Sequence, residues 1–249
     1  MGKPRVAIFD FACCEGCQLQ IVNLEEEILD LISVVDVVEW REAMSEQSKD
    51  YDIAIVEGSI FRPEDEERLR AIRGRAKVLV ALGACATFGG VNKLKNNGDI
   101  AEIKRCVYGD AAVMPHLEAG PTKAVDEVVT VDLKIEGCPI DPREFSYVVR
   151  CVLAGKTPWI PDNPVCVECK MKGNPCRYEY NEVCLGPVTR AGCGAACPSA
   201  GSWCFGCRGY CAHPNTEAAR DIMKLYGRTE DDLRSRLLLF GSQQEPTNV

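Results

Sequence analysis

The chain has 249 residues, 46% of them hydrophobic, enough for one sizeable core with a smaller unit beside it and no need of disulfide staples. With 29 basic against 37 acidic residues its formal charge is -8, so it lacks the broad basic face that phosphate backbones require, and nucleic acid is excluded as a partner. No segment approaches the roughly 18 apolar residues of a membrane-spanning helix, which excludes a helical membrane span.

In chain order, Met1 and Gly2 lead into a short apolar run, Arg5 to Phe9, with no charged leader or small-residue cleavage site. A cytoplasmic protein is expected, and there its 16 cysteines stay reduced and serve metals rather than disulfides. Gln18 to Ile32 repeats apolar residues (Leu19, Val22, Ile28, Leu31, Ile32) at helical spacing. Further runs at Val34 to Trp40, Asp52 to Glu57, Lys77 to Leu82 and Val128 to Glu136 predict strands, and Pro63 stands where a first-turn proline opens a helix. This alternation over residues 1–157 predicts an α/β domain, most economically a flavodoxin-like, mostly parallel open sheet.

At Pro158-Trp159-Ile160-Pro161 that grammar stops. Pro164 to Cys211 is rich in Cys, Gly and Pro and poor in large apolar residues, so burial alone cannot fold it and bound metal must supply much of the folding free energy. Residues 158–249 are therefore expected to form a small irregular metal-binding domain. Helices at Thr216 to Leu225 and Thr229 to Phe240 close it, the second opened by a capping box of Thr229 and Asp232. From Gly241 the tail is expected to fray.

Loops at the carboxyl ends of parallel strands converge on one sheet edge, where such folds place ligands. Cys14 and Cys17 follow the first strand as Cys-x-x-Cys, while Cys85 and Cys138 follow the strands ending at Leu82-Gly83 and Glu136-Gly137. Four thiolates at one edge make a cluster site, with Gly16, Gly83 and Gly137 allowing close backbone approach. The competing reading makes Cys85 and Cys138 small core residues. Cys13 adjoins Cys14 and alternates away from it, and the two-residue gap favours Cys14 as the ligand.

Eight more cysteines follow: Cys166, Cys169, Cys176, Cys184, Cys193, Cys197, Cys204 and Cys207. Grouped by sequence they form two sets of four, Cys166 to Cys184 and Cys193 to Cys207, which leaves Cys13, Cys106, Cys151 and Cys211 spare. Zinc is the rival metal, because four-cysteine zinc sites use similar spacings. Structural zinc normally sits in small local modules, however, and the strand-end set favours iron-sulfur clusters arranged as a relay. His213, beside Cys211, is read as a surface residue.

The segments Cys14-Glu15-Gly16-Cys17-Gln18-Leu19-Gln20, Val56-Glu57-Gly58-Ser59, Gly83-Ala84-Cys85-Ala86, Gly137-Cys138-Pro139 and Cys184-Leu185-Gly186-Pro187-Val188-Thr189-Arg190-Ala191-Gly192-Cys193 span nearly the whole chain. Together they resemble the small subunit of a nickel-iron hydrogenase, most nearly the delta subunit of the cytoplasmic sulfhydrogenases, which couple hydrogen to NAD(P). The resemblance implies a proximal cluster on Cys14, Cys17, Cys85 and Cys138, a medial one on Cys193, Cys197, Cys204 and Cys207, and a distal one on Cys166, Cys169, Cys176 and Cys184. Periplasmic members use a distal histidine, a three-cysteine medial cluster and a twin-arginine export signal. Here Cys166 and Cys197 stand at the corresponding places, so three 4Fe-4S clusters are expected.

The same resemblance implies a partner large subunit with the nickel-iron centre, docked on an apolar face near the proximal site. It also implies flavin (FAD) and iron-sulfur subunits that react with NAD(P), with ferredoxin or sulfur as the other acceptors. No catalytic residue is expected in this chain. Glu15 and Glu57 lie near the proximal edge, either to move protons or to accept backbone hydrogen bonds. Three other functions stay open: a hydrogenase small subunit feeding a heterodisulfide reductase, a complex I-like cluster subunit, to whose paired cysteines Cys13-Cys14 is similar, and a zinc-stabilised interaction module.

Overall fold

The computed structural model describes residues 2–113 and 119–240, with Asp110 described by its backbone alone. The chain divides after Lys156 into two compact units.

The first unit is built on five parallel strands. β1 (Arg5–Asp10) runs into α1 (Gly16–Val22) and α2 (Glu26–Val34), followed by β2 (Asp36–Trp40), β3 (Ile53–Glu57) and α3 (Pro63–Arg75). β4 (Val78–Leu82), α4 (Gly83–Phe88), α5 (Ile100–Tyr108), β5 (Leu133–Ile135) and α6 (Pro142–Leu153) complete it. The strand order is β2-β1-β3-β4-β5, all pairs parallel, which is the flavodoxin-like order. All five residues of β3 are buried, as a central strand covered on both faces requires. Ala7, Phe9, Ala54, Val56, Leu79 and Ala81 from the sheet pack with Leu69 and Ile72 of α3 into one core.

Two expectations need correcting. The helix expected over Gln18 to Ile32 is broken between α1 and α2, where Asn23 ends α1 and Glu25 takes a positive φ of 54°. Glu26 and Glu27 then open α2, where carboxylates complement the positive end of the helix dipole. The strand expected over Val128 to Glu136 pairs only at Leu133–Ile135. Val128 and Val129 instead donate to the Val125 carbonyl in a 3-10 turn, and the Asp132 carboxylate takes the Leu79 N–H at 2.7 Å.

The second unit is less regular. α7 (Val165–Met171), a 3-10 turn at Arg177–Tyr180 and α8 (Ala196–Ser199) are joined by loops that two isolated bridges tie, Pro164 to Arg190 and Thr189 to Tyr210. α9 (Thr216–Leu225) falls where the apolar spacing put a helix. α10 (Glu230–Leu238) starts with the expected box: Thr229 Oγ1 accepts from Asp232 N–H at 3.2 Å, and Asp232 Oδ2 from Thr229 N–H at 2.9 Å. A small core does form, and cysteines are part of it: Cys184 and Cys204 are buried with Val165, Tyr178, Ala195 and Met223. The tail from Gly241 lies outside the described residues. Among the described residues no helix is long and apolar enough to cross a membrane.

Candidate metal centres

Register across the sheet puts Asp10 opposite Glu57, Glu57 opposite Leu82, and Leu82 opposite Ile135, so four strands finish in one row. The loops leaving that row carry Cys13 and Cys14 after β1 and Cys138 after β5, with Cys17 in the first turn of α1 and Cys85 in that of α4. They are tied together. Ala12 and Ser59 exchange backbone hydrogen bonds of 3.2 and 3.0 Å, Ala84 N–H donates to the Gly137 carbonyl at 2.7 Å, and Asn92 Nδ2 donates to the Ala12 carbonyl at 2.7 Å.

Within this frame the thiols sense one another. Burial, then the thiols of Cys138 and Cys14, pushes the Cys85 thiol up to about 12. Cys138 is raised by burial and then by Cys14, while Cys17 is raised by burial first, then by the Glu57 carboxylate, with Cys138 a lesser cause. Cys13 is pushed up to about 12 by burial and Glu57, and Cys85 also acts on it, so the spare cysteine lies at the margin of the same group. Space around the sulfurs is kept by glycine. A side chain at Gly83, whose φ is 80°, would run into Cys17 Sγ, and one at Gly16 would stand 3.3 Å from Cys14 Sγ.

Of the two acids, Glu57 is buried and bonded to backbone. Its Oε1 accepts from Cys17 N–H at 3.1 Å and its Oε2 from Gln18 N–H at 3.3 Å. Glu15 is partly exposed and 3.5 Å from Arg41, which is paired more closely with Asp10 at 2.7 Å. Gln18 is a further buried polar residue at this edge, accepting from Trp40 Nε1 at 2.8 Å. Leu19 and Val22, on the helix that carries Cys17, are both about half exposed.

In the second unit Cys166 and Cys169 lie on α7, Cys176 caps the 3-10 turn, and Cys184 follows it. Burial, then Cys184, Cys169 and Cys176, pushes the Cys166 thiol up to about 12, which puts all four in one neighbourhood. Gly186 lines it: an added Cβ would stand 3.1 Å from Cys166 Sγ and 3.6 Å from Cys184 Sγ. Tyr178 Oη donates to the Cys184 carbonyl at 3.0 Å.

The remaining set comes together in pairs. Cys197 feels Cys193, while Cys204, raised by burial first, feels Cys184 and Cys207. Cys204 also touches the neighbouring set directly, its N–H donating to Cys184 Sγ at 3.2 Å. Outside these groups, Cys106 is exposed, Cys151 half-buried and Cys211 buried, and His213 is at the surface.

This donor chemistry fits iron-sulfur clusters. The sets are rich in cysteine, glycines keep room beside the sulfurs, and a backbone N–H reaches Cys184. Among the described residues no three His, Cys, Asp or Glu side chains are grouped as a single metal ion requires.

A profile of the family described as NADH ubiquinone oxidoreductase, 20 Kd subunit, matches residues 14–152, from the first cysteine of the strand-end set into α6. The chain belongs to this family. Its relatives there are hydrogenase subunits. Sulfhydrogenase 2 subunit delta of Pyrococcus furiosus is 36% identical over 222 residues, spanning 88% of this chain and 92% of that one. The F420-non-reducing hydrogenase vhu of Methanococcus voltae has a chain 30% identical over 237 residues, which spans 83% of this chain and 82% of that one. Among solved structures, a chain of the NAD+-reducing NiFe-hydrogenase in the H2-reduced state superposes with a TM-score of 0.58 at 27% identity, covering 64% of this chain and 96% of that one. This family member is a hydrogenase small subunit, the electron-transfer component of a nickel-iron enzyme.

Proposed function

We propose that this small subunit conducts electrons between the nickel-iron site of a partner large subunit and a flavin and iron-sulfur module that reacts with NAD(P), in the cytoplasm. Its twelve grouped cysteines would hold three 4Fe-4S clusters. A bound cluster of this kind takes up and releases single electrons at a potential set by charge, hydrogen bonding and exposure.

The observation that carries the proposal is the meeting of Cys14, Cys17, Cys85 and Cys138 at the finished ends of parallel strands. Hydrogen bonds between the segments that follow the strands, such as Ala84 N–H to the Gly137 carbonyl at 2.7 Å, support this placement. Glu57 holds the first turn of α1, and so the Cys17 backbone, in place. The half-exposed Leu19 and Val22 beside Cys17 give a large subunit an apolar surface to cover. Cys166, Cys169, Cys176 and Cys184 would hold the cluster facing the NAD(P) module, and Cys193, Cys197, Cys204 and Cys207 the one between. Coupling to NAD(P) is supported by the name of the structural relative, an NAD+-reducing hydrogenase.

The test is anaerobic purification of the complex. The chain should carry about twelve irons, three sites of four, and the complex should reduce NAD(P) with hydrogen. Colourless protein containing zinc would overturn the proposal. Cys17→Ser should remove one cluster signal from the electron paramagnetic resonance spectrum. The relative named as an F420-non-reducing hydrogenase leaves room for a second acceptor, such as a heterodisulfide reductase, and hydrogen uptake without NAD(P) reduction would select it. A complex I-like role is not favoured, because the similarity to hydrogenase subunits continues through most of the chain beyond residue 152.

A further inference from the structure

Glu168 lies on α7 between Cys166 and Cys169, and it reaches the loop that carries another cysteine, Cys193. Its Oε1 accepts from Gly192 N–H at 2.9 Å and its Oε2 from Ala195 N–H at 3.1 Å, the two bonds flanking Cys193. Lys172, at the end of the same helix, donates from Nζ to the Gly194 carbonyl, and an added Cβ at Gly194 would stand 3.0 Å from that nitrogen. Three anchors on the loop that carries Cys193 therefore come from the helix that carries Cys166 and Cys169.

The loop needs such anchors. Gly192, Gly194 and Ala195 have positive φ of 115°, 60° and 49°, and for the alanine this left-handed conformation is intrinsically unfavourable. Hydrogen bonds to an ionised carboxylate are stronger than those between neutral groups, and a two-oxygen acceptor fixes direction as well as distance. On the other side of the unit, Cys204 N–H meets Cys184 Sγ at 3.2 Å and Leu185 N–H meets the Cys204 carbonyl at 3.0 Å. The two cysteine sets are thus braced to each other at two places.

We infer that Glu168 is a positioning residue, whose bidentate grip on Gly192 and Ala195 sets the Cys193 loop in register with the cysteines of α7. This deepens the proposed function and rests on its cluster assignments. A carboxylate so close to the Cys193 set also contributes negative charge there, which holds a cluster's reduction potential down.

The experiment uses the full chain in its complex, purified anaerobically, with Glu168→Ala and Glu168→Gln compared with wild type. Glu168→Ala should lose about a third of its iron, one site of three, with one resonance signal missing. Glu168→Gln keeps one acceptor oxygen and loses the charge, so its iron should be retained while one cluster's midpoint potential rises in a redox titration. Unchanged iron in Glu168→Ala together with an unchanged potential in Glu168→Gln overturns the inference. If Glu168→Ala is insoluble, Glu168→Asp decides, because it keeps the charge and shortens the reach to Gly192 and Ala195: loss of one cluster's iron upholds the positioning role and full iron overturns it. Zinc in the wild-type protein overturns the cluster reading instead, and loss of one zinc in Glu168→Ala would then still uphold the positioning role.

Discussion

Glu57 Oε1 lies 3.1 Å from the backbone nitrogen of Cys17, so the last residue of β3 closes the first turn of α1. The carboxylate is 2% exposed and meets Gln18 N–H as well, placing its charge at the helix end whose N–H groups have no partner within the helix. Burial of this acid is therefore matched by hydrogen bonds, and the bonds fix the residue that bears a candidate ligand.

Glu57→Ala should leave two buried N–H groups without acceptors and lower unfolding stability by about 2 kcal/mol. Glu57→Gln, which keeps one acceptor oxygen, should lose clearly less. Denaturant titration of both variants checks this, and equal losses would contradict it.

Gly83→Ala tests the space beside Cys17. Its φ of 80° disfavours any Cβ, and the added carbon runs into Cys17 Sγ. Expected are folded protein with about a third less iron and one missing resonance signal; full iron content would show that the loop can yield.

Asp52 carries a pH dependence. Its carboxyl is held below the usual range, first by the Arg5 N–H at 2.9 Å and then by Lys77, whose Nζ is 2.8 Å away. A carboxyl with a depressed folded pKa contributes stability above its unfolded pKa of about 3.9 and loses it as pH falls through the folded value. Wild type should therefore exceed Asp52→Asn by about 1 kcal/mol at pH 7, and the gap should close below about pH 4. Paired denaturant titrations across that range read it directly.

Thr229→Ala should cost about 1 kcal/mol by removing the oxygen that caps α10. Leu233 and Leu237 of that helix pack on the small core of the second unit, so the loss should appear as a lower melting temperature. A variant that melts with wild type would mean that packing alone holds the helix.

The parallel sheet is legible in the sequence because β3 and β4 are short, unbroken apolar runs, and α9 because its apolar spacing is regular. The break at Glu25 is not, since the apolar period continues across it. Asp141-Pro142 is a start signal for α6 that the apolar pattern alone passes over: Asp141 Oδ1 accepts from Arg143 and Glu144 N–H at 2.8 and 3.2 Å. At the site, the cysteines that the proposal uses are found by residue type and spacing. Asn92 and Glu168 do not, because Asn92 reaches Ala12 and Glu168 reaches Gly192 and Ala195 across separations to which no local pattern points. Contacts that hold a loop rather than bind a ligand leave no motif behind.

Cys184 and Cys204 are 9% and 6% exposed and belong to the same packed cluster as Tyr178 and Met223. Two candidate ligands of the second unit are thus also part of its core, so replacing either would cost packing as well as a thiol, whereas Cys166, Cys169, Cys176, Cys193, Cys197 and Cys207 stay partly open to solvent.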